Sequence, residues 1–152
     1  MSVTRFAGVA EDEDRGVTLR TGLYEFWTAE GAHVYLHDTD FRRLTYQPGR
    51  PPVLELEFLY DSQWTPPELA GTPVVVFRFE DARLLEWCED REGHDYVSTH
   101  PHAPPGQVSC FDWDGSDLFT LDTFTMRLTF RAPRAEVTVR VKQNEKPTLP
   151  PD

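Results

Sequence analysis

Residues 53–60, VLELEFLY, alternate without a break: Leu54, Leu56, Phe58 and Tyr60 fall on one side, Val53, Glu55, Glu57 and Leu59 on the other. A period of two over eight residues predicts an extended strand with one face on a core and the other largely in water. Residues 74–80 (VVVFRFE), 124–130 (FTMRLTF) and 136–141 (EVTVRV) repeat the design. Residues 41–46 (FRRLTY), 82–88 (ARLLEWC) and 108–113 (VSCFDW) are read as further strands, and 118–121 as a brief ordered bridge. No segment carries a comparably clear helical period.

Turn-forming residues divide these runs. Glu30-Gly31 supplies a turn between two apolar stretches, because glycine accepts a positive φ without a Cβ penalty. A hairpin is the first expectation there, with a short helix over residues 23–29 as the alternative. The loop QPGRPP, residues 47–52, is rich in proline, which lacks the N–H a ladder needs, and it is short enough to join 41–46 to 53–60 as an antiparallel hairpin. Asp81-Ala82 is expected to turn 74–80 back onto 82–88, and RAPR, residues 131–134, to turn 124–130 back onto 136–141. Parallel crossovers need a dozen or more linking residues, usually helical, and the chain has no candidate. The expectation is therefore all-β: an antiparallel meander of seven to nine strands, curled into a sandwich or a partly open barrel. At most one short helix is expected, over PPELA at residues 66–70. A flexible lead-in (1–16) and a flexible tail (144–152) flank a single domain, 17–143, with Val3 and Phe6 of the lead-in resting on its surface.

A length of 152 residues and an apolar fraction of 39% suit one domain with a real core. No apolar run is long enough to span a bilayer, and the first sixteen residues lack the apolar centre of a signal peptide, so a cytoplasmic protein is expected. Charge refines this picture. The net charge is −11, and residues 61–122 alone hold 13 acidic residues against 3 basic ones. Such a field repels nucleic-acid phosphates and anionic membranes and attracts cationic partners. Thirteen of the fifteen basic residues are arginine, which fits a GC-rich coding bias.

The candidate chemistry is thin. His94, His100 and His102 share a proline-rich stretch with Asp95, but His100-Pro101-His102 in extended backbone splays its rings, and no paired cysteines or HExxH accompany them. His37-Asp38 lie on opposite sides of an extended chain, so Asp38 is read as a turn cap before Phe41. Asp112, Asp114, Asp117 and Asp122 resemble the start of a calcium loop, yet the EF-hand glutamate is missing (residue 123 is Thr) and Asp114-Gly115 is itself a turn dipeptide. No GxSxG elbow is present. Cys88 and Cys110 are read as reduced thiols. No catalytic, cofactor or metal site is expected, and the protein is not read as an enzyme. What remains is a partner-binding surface: acids surrounding aromatic anchors, at Trp64, Glu89, Asp90, Glu92, Asp95, Tyr96, Asp112, Asp114 and Asp117. A small-molecule or divalent-metal module and a structural or accessory protein are the alternatives. Trp87 and Trp113 are weighed as anchors too, with core positions favoured. Arg127, Arg131, Arg134, Arg140 and Lys142 could line one face of the last hairpin, which leaves a homodimer through the acidic middle open and is the single basic feature in a chain not expected to bind nucleic acid.

The run LHDTDF (36–41), then RLTYQPGRPPVLELEF, TPVVVFRFEDARLLEW and FDWDGSDLFTL, resembles small all-β actinobacterial proteins, some of them polymorphic-toxin immunity proteins of the Imm50 type. The resemblance spans about residues 36–141 and rests on strand rhythm. It implies a compact protein that binds and blocks a toxin without catalysis, and it transfers no functional residues. Glu80-Asp81 departs from the pattern, standing where a glycine-containing turn is usual.

Overall fold

The computed structural model describes residues 3–20, 22–36, 39–60, 72–89 and 107–142. The described residues are all β, in three sheets, with no helix. Eleven strands run in chain order: β1 (Arg5–Ala7), β2 (Glu25–Trp27), β3 (His33–Tyr35), β4 (Phe41–Gln47), β5 (Val53–Leu59), β6 (Thr72–Glu80), β7 (Arg83–Glu89), β8 (Val108–Trp113), β9 (Leu118–Thr123), β10 (Met126–Arg131) and β11 (Arg134–Lys142). Among the described residues the count exceeds the expected seven to nine, and β1, a three-residue piece, is too short to carry a periodic signal. A five-stranded sheet has the order β1-β11-β6-β5-β4, a four-stranded sheet the order β7-β10-β9-β8, and β2-β3 form a small third sheet.

Where the turn chemistry is unambiguous, strands pair as expected. β4 and β5 form the antiparallel hairpin around the proline loop, and β2 and β3 pair across the Glu30-Gly31 turn, with no helix there. The alternation of residues 53–60 is realised in full: Leu54, Leu56 and Phe58 have no exposed surface, while Glu55 and Glu57 look outward. β6 occupies the middle of its sheet.

Two expected hairpins do not form. β6 does not fold back onto β7, nor β10 onto β11; each pair is divided between the two larger sheets. Instead β6 pairs with β11 and β7 with β10, in one continuing register: Glu80 faces Arg134, and three residues further on Arg83 faces Arg131. Residues 72–89 and 126–142 are thus one long antiparallel ribbon that bends from the first sheet into the second at Asp81-Ala82 and Ala132-Pro133. A two-residue link serves a strand changing sheets as well as it serves a hairpin. At the bend both alanines are fully buried, and Asp81 takes a φ of 55°. The pairing is therefore not a simple meander, and β1 adds a parallel pair to β11 at the sheet edge.

The core draws on residues of both larger sheets. Leu54, Leu56 and Phe58 of β5, Val75, Phe77 and Phe79 of β6, and Val137 of β11 meet Phe111, Phe119, Leu121, Leu128 and Phe130 from the other sheet. Phe58 stacks on Phe111 with ring centroids 5.3 Å apart, and Phe79 meets Phe119 at 4.9 Å and Phe130 at 4.7 Å. Phe26 of the small sheet reaches Phe77 at 5.8 Å. Residues of the expected lead-in make defined contacts with the sheets. The Thr4 N–H donates to the Ser116 carbonyl at 2.7 Å, the Arg5 N–H to the Pro133 carbonyl at 3.0 Å, and Phe6 packs edge-on against Trp113 at 5.0 Å. The tail expected beyond residue 143 lies outside the described residues. No helix of the described residues is long and apolar enough to cross a membrane.

Candidate functional site

Of the nine residues expected to form a partner surface, Trp64, Asp90, Glu92, Asp95 and Tyr96 lie outside the described residues, as do His37, Asp38 and the three histidines of residues 94–102. The other four, Glu89, Asp112, Asp114 and Asp117, fall on the four-stranded sheet and have distinct local roles. Asp114 heads the β8–β9 turn, where its Oδ1 accepts the Ser116 N–H at 2.8 Å and the Leu118 N–H at 3.1 Å, and Gly115 supplies the positive φ. This is the Asx-type turn expected of Asp-Gly. Asp117 is paired with Arg131, Nη1 to Oδ1 2.6 Å. Asp122 holds Arg127 through two hydrogen bonds of 2.7 and 3.0 Å, an arrangement that keeps the guanidinium firmly charged. Each carboxylate of the acid-rich turn thus has a partner within the fold, and among the described residues no three potential ligands gather as a metal site would require.

Asp112 accepts a hydrogen bond from the Cys110 thiol. Burial and this carboxylate push the thiol up to about 12, so it stays protonated and un-nucleophilic near neutrality. Burial likewise pushes the phenol of nearby Tyr24 upward, and its hydroxyl donates to the Ser109 carbonyl at 2.6 Å. Cys88 is far from this group. The register runs Cys88, Arg127, Asp122, Cys110 across four strands, a separation of about 14 Å at roughly 4.8 Å per strand and outside disulfide reach. Both cysteines are free.

The arginines do not form one face. Arg127 and Arg131 lie in the four-stranded sheet, Arg134 and Arg140 in the five-stranded one, and the bend at Ala132-Pro133 separates them. Each meets a carboxylate: Arg140 with Glu57 at 2.7 Å and Arg134 with Glu80 at 3.8 Å, beside the pairs already described. Arg78 of β6 adds a 2.6 Å contact to Glu80. The outer surface of the five-stranded sheet is therefore a lattice of alternating charge. Its cleft beside Arg5, Arg78, Glu80 and Arg134 holds only about 170 Å³, below the size of ordinary ligand pockets.

The tryptophans separate clearly. Trp113 is part of the core margin, packed on Phe6 with its Nε1–H donated to the Ser116 carbonyl at 3.0 Å. Trp87, on the edge strand β7, is 49% exposed, and Leu85 beside it 55%. The Trp87 Nε1–H donates to Glu89 Oε1 at 3.2 Å. Leu85 is the extra residue of a β-bulge, since Glu86 faces Thr129 while Leu84 faces Phe130. The sequence favours a core position for Trp87 over an anchor because the residue lies on a strand; its position at a sheet edge is a property of the strand order.

Compared with protein families, with characterised proteins and with solved structures, the chain matches none.

Proposed function

We propose that this chain is a non-catalytic binding protein for a basic protein partner, acting in the cytoplasm, with inhibition of a basic toxin or effector as the form that suits it best. The observation that carries the reading is how charge is distributed among partners. Arg78, Arg127, Arg131, Arg134 and Arg140 are each compensated by a carboxylate inside the fold. Among the described residues, Glu11, Asp12, Glu13, Asp14, Asp81, Glu86 and Asp112 have no ion-pair partner. Arg5, Arg15, Arg20, Arg42, Arg43, Arg50 and Arg83 also stand without an ion pair among the described residues, but the net charge of −11 keeps the overall field negative, and such a field steers cationic proteins while rejecting phosphate backbones. The arginines expected to line one basic face, Arg127, Arg131, Arg134 and Arg140, are each paired and are divided between two sheets, so a homodimer held by that face has little to draw on. We read the two larger sheets as the layers of a sandwich, a rigid support on which such a surface keeps its shape.

The test is capture from the native lysate on immobilised full-length protein, followed by stopped-flow kinetics with the purified partner. A partner with a basic isoelectric point is expected, with an association rate that falls tenfold or more between about 0.05 and 0.5 M salt. A rate that stays flat across that range, or a partner as acidic as this chain, overturns the proposal.

A further inference from the structure

The indole on β7 is half-exposed, and its surroundings match one kind of group. Trp87 faces Leu128 across the ladder yet stands at the sheet edge, so much of its ring is left in water. Its Nε1–H is tied to Glu89 Oε1, which fixes the indole beside a carboxylate whose second oxygen makes no ion pair among the described residues. An aromatic face next to a carboxylate is what a planar cation recognises: the ring quadrupole attracts the charge, and the carboxylate accepts its N–H groups. Residues 61–122 supply the long-range field, with 13 acidic residues against 3 basic. The bulge at Leu85 breaks the regular register of β7, and Arg83, Glu86 and Glu89 place charges along this edge, which together disfavour addition of a further strand. Recognition here runs through side chains.

We infer that Trp87 and Glu89, with Leu85 as an apolar flank, form a docking point for an arginine side chain presented by a basic partner protein. Arginine fits better than lysine because its flat guanidinium can lie on the indole while donating to Glu89, whereas an ammonium group is a compact, strongly hydrated charge. The inference rests on the reading of the chain as an acidic binder and locates one contact within it.

The probe is the capped peptide acetyl-(Arg)4-amide, titrated into the full chain while the indole N–H resonance of Trp87 is followed, assigned from the Trp87→Phe variant. A saturable shift is expected with the arginine peptide, at least threefold weaker binding with the lysine peptide, and none with the neutral citrulline peptide. Measured by titration calorimetry, which needs no signal from the indole, Trp87→Ala should weaken peptide binding at least tenfold and Glu89→Gln severalfold. A Glu30→Gln/Glu136→Gln double variant, which removes more charge at exposed positions on the other two sheets, should leave it within twofold. The inference is overturned if the Trp87 resonance does not move, if the Glu30/Glu136 variant loses as much as Glu89→Gln, or if the resonance moves with protein concentration alone, which would make a second copy the occupant. A captured basic partner that binds Trp87→Ala as tightly as the wild type would remove this contact and leave the broader function standing.

Discussion

Gly8 adopts a φ of +81°, and a Cβ there would fall on the Val137 carbonyl oxygen of β11. Gly31, in the β2–β3 turn, has a similar φ of +94° but nothing within 4 Å of where a Cβ would lie. The pair separates two costs of side chains in left-handed backbone. Gly31→Ala meets only the conformational penalty, about 1–2 kcal/mol, whereas Gly8→Ala adds a backbone collision that must push β1 away from β11. Urea unfolding should find Gly8→Ala at least twice as destabilising as Gly31→Ala; equal losses would mean that β1 is not held where it is seen. A second residue-scale effect concerns alkali. The raised Cys110 thiol and Tyr24 phenol both favour the neutral form in the folded chain, so the unfolded chain gives up these protons first. Their stabilising contribution is complete below the unfolded thiol value near 9, and it is lost as pH climbs toward the folded value of about 12. Stability measured in urea should fall between pH 9 and 11, and the Cys110→Ala/Tyr24→Phe double variant should show a shallower fall. A slope unchanged in that variant would contradict the assignment.

At the scale of elements, Asp81 is the informative position. Its φ of 55° is glycine-like, so the bend has the geometry of a glycine turn built with an aspartate, one of the few residues that tolerate it. Asp81→Gly should therefore stabilise the protein by up to about 1 kcal/mol, and Asp81→Val should destabilise it by about 1–2 kcal/mol, judged from urea midpoints at constant m. A stabilising valine would mean that the ribbon does not bend there. The same position explains why the sequence was only partly legible. Alternation in residues 53–60 and 74–80 identified β5, the core of β6 and their inward faces, since burial on one side leaves a direct trace in residue type. The β4–β5 and β2–β3 hairpins were legible because proline and glycine leave little choice. Asp81-Ala82 and Ala132-Pro133 were not, because the step that carries a ribbon into another sheet uses the same small, polar or proline residues as a reversal. β1 was missed because three residues, RFA, hold no period. The candidate site fared similarly: that Asp114 shapes a turn could be read from Asp-Gly, but the Arg140–Glu57 pair joins residues 83 apart in sequence, and nothing local announces it.

At the scale of the whole molecule, the question is whether three sheets behave as one body. Phe77 offers a direct answer. It lies in the central strand β6, fully buried, and its ring contacts Phe58 and Phe79 in its own sheet, Phe111 in the four-stranded sheet and Phe26 in the small sheet. Truncating such a side chain removes its transfer free energy and leaves a cavity that the surrounding rings, held at their own contacts, only partly refill. Phe77→Ala should cost about 3–5 kcal/mol, a large part of the stability of an ordinary domain. If the sheets share one core, the loss must be felt everywhere at once, because all three bury surface against the same ring. Amide exchange under native conditions should then speed up by the same factor in β5, in β9 and in β3, and the unfolding transition should stay single by fluorescence and by circular dichroism. A loss confined to β5 and β6, with β8–β10 retaining their protection, would instead make the four-stranded sheet a separate unit, and the edge carrying Trp87 would no longer be supported by the core that fixes the rest of the chain.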